Sequence, residues 1–524
     1  MLRTKNKPQL SASVSVVKRA ILFALLATFT LTGCTVKKCN TTPVATPTPV
    51  PSIYDQCAAK KCNITVWYPF GDTNTDAIYQ SLAKQYSQQD KHQNITVTTI
   101  NKQTFGQYSS QILEKRGSSE APDIYLIRSD GFNKYEKERA LPLSSQPEPA
   151  NSTKKSALDP NVQQYIEAFP PGFKYDLVEQ AAQTTPTAQD STKKDMKLYG
   201  APLFYQGMAL FINKKIFTAY NLANQDSPIT IPTRDTVLSW SEFGTLAIKL
   251  TQTKDGWLKA PIPGASEVKL NITPGSIFRF GTALGTSKNI PYAVDILTLY
   301  MQQSGIPIVS ADRTKAAFDD DTTLDSSAAI LNSFVGYSKL WDTSYESSLK
   351  AFKDGKVAMI FARSYNVKEV LAIPELDVDF IPIPQVSKKK EEWITDNYYW
   401  SLTVNSDTKY GDIAWDFIKF ITAKDNLKKF SLTFQQPTTR LDLLQELQQD
   451  KEYDRLFGVF NLQLPYAKGY FKGKQEPSDK VFSDAIESAN TGKDSGDGTL
   501  QISRQAVNQA GEAFTRVLQD NPYN

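Results

Sequence analysis

Hydrophobic and polar positions are spaced in two alternating ways along the chain. Ile64-Thr-Val-Trp-Tyr68 is rich in β-branched and aromatic residues and predicts a strand. In residues 76–89, Ile78, Leu82 and Tyr86 fall four apart on one helical face, and Ile95 through Ile100 alternates again. Strand, helix and strand in that order predict a βαβ unit with parallel strands and a right-handed crossover. A helix over Phe105–Lys115 and a strand from Asp123 to Ile127 extend it. Residues 144–197 are polar, with a modest apolar stretch from Tyr165 to Leu177, and read as a long connection carrying one or two helices. Farther on, Ser239-Trp-Ser-Glu242 is a capping box opening a helix with Phe243, Leu246, Ala247 and Leu250 in a stripe. Ile413, Phe417 and Ile421 mark another helix after the strand Ser401 through Val404. The class is α/β, helix-dominated in its last third, with no internal repeat.

The amino end follows neither period. Arg3, Lys5, Lys7, Lys18 and Arg19 precede an apolar run from Ala20 to Leu31, then Thr32-Gly33-Cys34, the layout of a secretion signal. Twelve residues span only about 18 Å as a helix against a hydrocarbon core of roughly 30 Å, too short for a permanent crossing. Leu31-Thr-Gly-Cys34 resembles a bacterial lipobox, so residues 1–33 read as a lipoprotein signal peptide and Cys34 as the lipidation site, tying the chain to the outer face of the cell membrane. Residues 34–61, with prolines at 43, 47, 49 and 51, read as an extended tether.

Removing the leader changes the charge balance. The chain holds 59 Lys and Arg against 55 Asp and Glu; without the five leader cations the count is 54 against 55, a net charge of −1. That excludes a compositional case for nucleic acid. Beyond Cys34 the sequence holds three more cysteines, Cys39, Cys57 and Cys62. Cys57 with Cys62 closes the shortest loop, but three sulfurs leave the pairing open. The single histidine, His92, lies in a polar, linker-like stretch, which speaks against a zinc site or a histidine-based triad.

Eight segments, in order, resemble the extracellular solute-binding proteins of sugar ABC importers, the maltose-binding-like group. They are Ile64 through Tyr68; Ala121-Pro-Asp-Ile-Tyr125; Tyr199-Gly-Ala-Pro-Leu203 with Met208 through Lys214; Ser239 through Phe243; Phe352 through Met359; Ile381-Pro-Ile-Pro384; Ala414 through Ile421; and Gln436-Pro-Thr-Thr-Arg440. The resemblance implies a two-lobed periplasmic-binding-protein-like fold (type II), each lobe a mainly parallel sheet flanked by helices, with a ligand cleft between. By that analogy the first lobe is 62–198 plus 396–425 and the second 199–395 plus 426–524. It further implies a monomer without cofactor that hands a small solute, a mono- or oligosaccharide, to the permease subunits of an importer. Solute contacts made by both lobes would drive closure.

Loops after parallel strands face such a crevice, which makes ligand candidates of Trp67, Tyr68, Asp72, Ser129, Asp130, Tyr205 and Gln206. From the second lobe come Arg363, Ser364 and Tyr365, with Tyr399 and Trp400 near a crossing. Aromatic rings suit the C–H faces of a pyranose; carboxylate, amide and guanidinium suit its hydroxyls. The plainer reading makes the aromatics core, the aspartates helix caps and Arg363 half of a structural ion pair. A free guanidinium at 363 would suit an acidic sugar, a phosphorylated ligand or a carboxylate. Tyr453, Phe457, Phe460, Tyr466, Tyr470 and Phe471 pack the second lobe, extend the cleft or face a permease. The rival functions are a surface receptor or sensor, a binder of peptide, phosphodiester or ferric complex, and a secreted glycoside hydrolase.

Overall fold

The first apolar runs fold as their periods predict. The computed structural model describes residues 52–519 apart from 59, 70–72, 103, 130–133, 149–152, 154, 182–194, 260–271, 273–275, 342 and 492–497. The leader, Cys34, Cys39 and most of the tether lie outside the described residues, as do Asp72 and Asp130. Strand β1 (Cys62–Tyr68) pairs in parallel with β2 (Ile95–Asn101) and β3 (Ile124–Arg128), and helix α1 (Thr73–Ser87) turns Ile78, Leu82 and Tyr86 inward. Two further strands complete this sheet, β15 (Tyr399–Val404) antiparallel to β3, and β8 (Ala201–Tyr205) antiparallel to β15.

The second lobe is built on six strands in the order β11-β10-β12-β13-β9-β14: Gly256–Trp257, Gln252–Thr253, Ile277–Thr282, Val357–Arg363, Met208–Asn213 and Val378–Ile381. Strands β9 and β13 are buried along their whole length, which explains their unbroken apolar runs Met-Ala-Leu-Phe-Ile and Val-Ala-Met-Ile-Phe-Ala. The capping box forms, with Ser239 Oγ accepting from the Glu242 amide at 3.2 Å and Glu242 Oε2 accepting from the Ser239 amide at 2.8 Å.

Three expectations need correction. The two-lobed α/β fold stands, but the sheets are mixed: in the first, β15 runs against the other four strands, and in the second only β12 and β13 pair in parallel. Chain that returns from the other lobe has to enter against the direction of the βαβ strands. The first lobe does not end at residue 198, because β8 belongs to its sheet and the crossing falls at Gln206–Gly207. Nor does it end at 425: the helix Lys424–Phe434 sets Phe430 edge-on to Tyr79 of α1, with centroids 5.4 Å apart. Residues 144–197 do carry two short helices, yet they also form a four-stranded sheet of β4 (Leu143–Ser144), β5 (Ala157–Leu158), β6 (Val178–Ala181) and β7 (Asp195–Leu198). Strands of two to four residues leave no periodic trace.

The end of the stretch expected to be an extended tether, residues 52–58, is instead partly helical and fastened to the first lobe. Cys57 and Cys62 form a disulfide, and Tyr54 Oη donates to Asp416 Oδ2 at 2.9 Å, an oxygen shared with Tyr86 Oη at 2.8 Å. His92 is not in a linker: it is buried, stacked on Tyr86 at 3.8 Å, with Nδ1 2.7 Å from the Tyr86 carbonyl. Among the described residues, no helix is long and apolar enough to cross a membrane.

Candidate functional site

Helix α2 (Pro171–Leu177) begins with proline at its first turn, where the missing N–H costs nothing. Its period sets Gly172, Tyr175 and Asp176 on adjoining positions of one face. Gly172 meets the second lobe so closely that a Cβ there would stand 2.0 Å from the carbonyl oxygen of Ala467. From that lobe come Trp393 and Tyr466, whose rings pack edge to face with centroids 5.4 Å apart, and Tyr470. Tyr175 from one side and Trp393, Tyr466 and Tyr470 from the other wall a cleft cavity of about 540 Å³, which also takes in Ile306 and Ile308. Its volume lies within the span of small-molecule sites, and its lining is aromatic and aliphatic with few polar groups, as such sites usually are.

A second, smaller cavity of about 50 Å³ shares Gln302, Lys468, Gly469 and Tyr470 with the first and reaches inward to Ser129, Asp176 and Asn397. Burial pushes the Asp176 carboxyl up to about 7, against the pull of the Tyr399 hydroxyl, Lys137, Arg313 and the Asn397 amide. Burial also works to raise Asp295 in the same wall, but Lys472 and Arg363 outweigh it and hold that carboxyl at about 2.

Beneath this cavity the three lobe crossings converge on the end of β13. Arg363 Nη1 donates to the Gln206 carbonyl at 3.0 Å, on the first crossing, and to Asp396 Oδ2 at 2.5 Å, on the second. Its Nη2 donates to Asp295 Oδ2 at 2.8 Å, and the guanidinium lies over the Tyr398 ring, 4.0 Å from the centroid. Ser364 Oγ donates to Gln436 Oε1 at 2.9 Å, on the third crossing. Arg363 is 2% exposed and saturated by two carboxylates. It is therefore no free cation for an acidic ligand, and the expectation of one there is corrected.

The other candidates fall in four places. Ser129 is on the cavity wall, its Oγ donating to the Asn397 carbonyl at 2.9 Å. Tyr205, Gln206, Ser364, Tyr399 and Trp400 gather at the crossings with their polar atoms engaged: Tyr205 Oη on the Asp396 carbonyl at 2.6 Å, Trp400 Nε1 on Gln206 Oε1 at 3.0 Å, Tyr399 Oη on Asp176 Oδ2 at 3.0 Å. Trp67 and Tyr68 are buried in β1, Trp67 under the Lys102 ammonium at 3.6 Å and Tyr68 stacked on Tyr79 at 4.1 Å. Tyr365 is exposed, its hydroxyl 2.8 Å from that of Tyr292. Of the late aromatics, Tyr453, Phe457, Phe460 and Phe471 are core while Tyr466 and Tyr470 line the cleft. Sequence reasoning did not reach Tyr175, Asp176 or Trp393. Trp393 carried a signal, a lone indole after Lys388-Lys-Lys-Glu-Glu392; Asp176 carried none.

Two α/β lobes, three crossings and a part-aromatic cleft between them define a cleft-type binding protein. The chain belongs to the family of bacterial extracellular solute-binding proteins, whose sequence model matches residues 71–428. Its fold is shared with a cyclo/maltodextrin-binding protein complexed with maltotetraose (TM-score 0.60, 16% identity, 88% of this chain and 98% of that one). It is also shared with a cyclic α-maltosyl-1,6-maltose binding protein from Arthrobacter globiformis (0.58, 15%, 88% and 100%). A third is an ABC transporter solute-binding protein from Thermotoga lettingae bound with α-D-tagatose (0.53, 16%, 87% and 99%). A comparison with curated proteins gives no match.

Proposed function

We propose that this chain captures an extracellular carbohydrate between its lobes and delivers it to an ABC importer, held at the membrane as a monomer by a lipid on Cys34. The observation that carries this reading is the cleft of about 540 Å³ with aromatic rings contributed by both lobes. Such rings lie against the C–H faces of a pyranose, and Gln302, Asn397 and Asp176 supply amide and carboxylate partners for hydroxyls. The reading is capture rather than turnover. It draws support from the family and from the sugars named for the three structural relatives.

A thermal-shift screen of the full chain against neutral, amino and acidic mono- and oligosaccharides tests it, with amino acids, dipeptides and ferric citrate as contrasts. A ligand at 100 times its Kd stabilises the folded state by about 2.7 kcal/mol, a readable shift. One sugar class should raise the midpoint, and Trp393→Ala should lower affinity for it by about tenfold or more while leaving the unliganded midpoint in place. Stabilisation by peptide or ferric citrate alone, with every sugar silent, would end the carbohydrate assignment.

A further inference from the structure

The smaller cavity is walled by three carboxylates and a buried amide, with the Tyr470 hydroxyl, unpartnered among the described residues, beside them. Asp176, Asp295 and Asp396 share its wall with Asn397. Arg363 is committed to Asp295 and Asp396, and Lys472 to Asp295 at 3.1 Å and Asp479 at 2.9 Å, while Lys468 is an exposed residue of the wall shared with the larger cavity. Asp176 is placed otherwise. Its Oδ2 accepts from two neutral donors, Asn397 Nδ2 at 2.9 Å and Tyr399 Oη at 3.0 Å. Lys137 and Arg313 act on it through space, and among the described residues no cation comes within the 4.0 Å of an ion pair. Asn397 is 8% exposed, and its Oδ1 has no hydrogen-bond partner among the described residues.

A buried acceptor without a donor is costly, and a ligand that brings hydrogens to Asp176 and Asn397 relieves that cost. A hydroxyl brings one donor; a protonated amine brings three and the charge that an isolated carboxylate lacks. A space of about 50 Å³ admits a few water-sized groups, an ammonium among them, and the adjoining cavity of about 540 Å³ has far more room for a ring. We propose that the cleft selects a sugar bearing a protonated primary amine, with the ammonium in the smaller cavity against Asp176 and Asn397 Oδ1 and the ring in the adjoining larger one. This deepens, and rests on, the carbohydrate reading above. The burial that raises Asp176 toward neutrality is the penalty an ammonium counter-ion relieves.

Isothermal titration of the full chain at pH 6.5 tests the proposal. The probes are glucosamine, galactosamine, mannosamine and the free-amine disaccharide of chitosan, each beside its N-acetylated and its hydroxyl counterpart, with glucuronic acid as the opposite charge. The amine form of at least one set should bind tenfold or more tighter than both counterparts, and Asp176→Asn should bring it down to parity. Equal or tighter binding of the N-acetylated, hydroxyl or acidic sugar overturns the amine proposal and leaves the carbohydrate reading standing. An amine preference that survives Asp176→Asn removes the assigned site. Silence of every sugar overturns both readings. The comparison among sugars needs only the native protein, so it decides even where the variant does not fold.

Discussion

Arg363 ties two of the crossings together directly, and its neighbour Ser364 reaches the third. The arginine joins Gln206, Asp295 and Asp396, and Ser364 joins Gln436. Removing one partner of a buried charge network strands the others, at about 3–5 kcal/mol. Arg363→Ala should therefore lower the urea midpoint by that equivalent, whereas Arg363→Lys, which keeps the charge but loses the fork, should fall between it and wild type. Asp176 sets a pH dependence of definite sign. Its folded value, about 7, lies above the roughly 3.9 of an unfolded aspartate, so between those values the folded state holds the extra proton. Stability from this group is complete below about pH 4 and is lost as pH rises toward 7. Chemical denaturation of wild type across that range should show the decline, and Asp176→Asn should flatten it.

Elements meet here through glycines where a side chain has no room. Gly281 of β12 runs so close to the helix Trp240–Lys249 that a Cβ would lie 1.7 Å from the Ala247 carbonyl oxygen. Both partners are backbone in regular structure and neither can yield cheaply. Gly281→Ala should cost about 1–3 kcal/mol in thermal or chemical unfolding. The approach of Gly172 to Ala467 is nearly as tight, but it joins two lobes rather than two elements of one. Gly172→Leu on α2 should wedge the lobes apart with little loss of unfolding free energy, giving a larger radius of gyration by small-angle scattering and weaker binding of any cleft ligand. A large loss of stability with unchanged dimensions would count against this contact as a closure surface. Long periodic helices such as Gly411–Ile421 were legible in the sequence because 3.6-residue spacing repeats over several turns. The short strands β4 to β7 were not, since two to four residues hold no period.

At the scale of the molecule, the proposed capture rests on an equilibrium between lobe arrangements, which a ligand bridging both walls would shift. A saturating ligand should contract the protein in scattering, and Arg363→Ala should broaden the distribution of lobe distances measured between labels on Tyr175→Cys and Leu222→Cys. The α/β class, the capping box at Ser239, the buried strands β9 and β13 and the family resemblance were fixed by sequence, because each rests on residues near one another along the chain. The mixed strand directions, the crossing at Gln206–Gly207 and the cleft wall were decided by tertiary structure. Asp176, Asp295, Asn397 and Tyr470 share one small cavity although nearly three hundred residues separate the first from the last. No local pattern encodes such a meeting; it arises when two separately patterned lobes pack and leave their unmatched acceptors facing the same space.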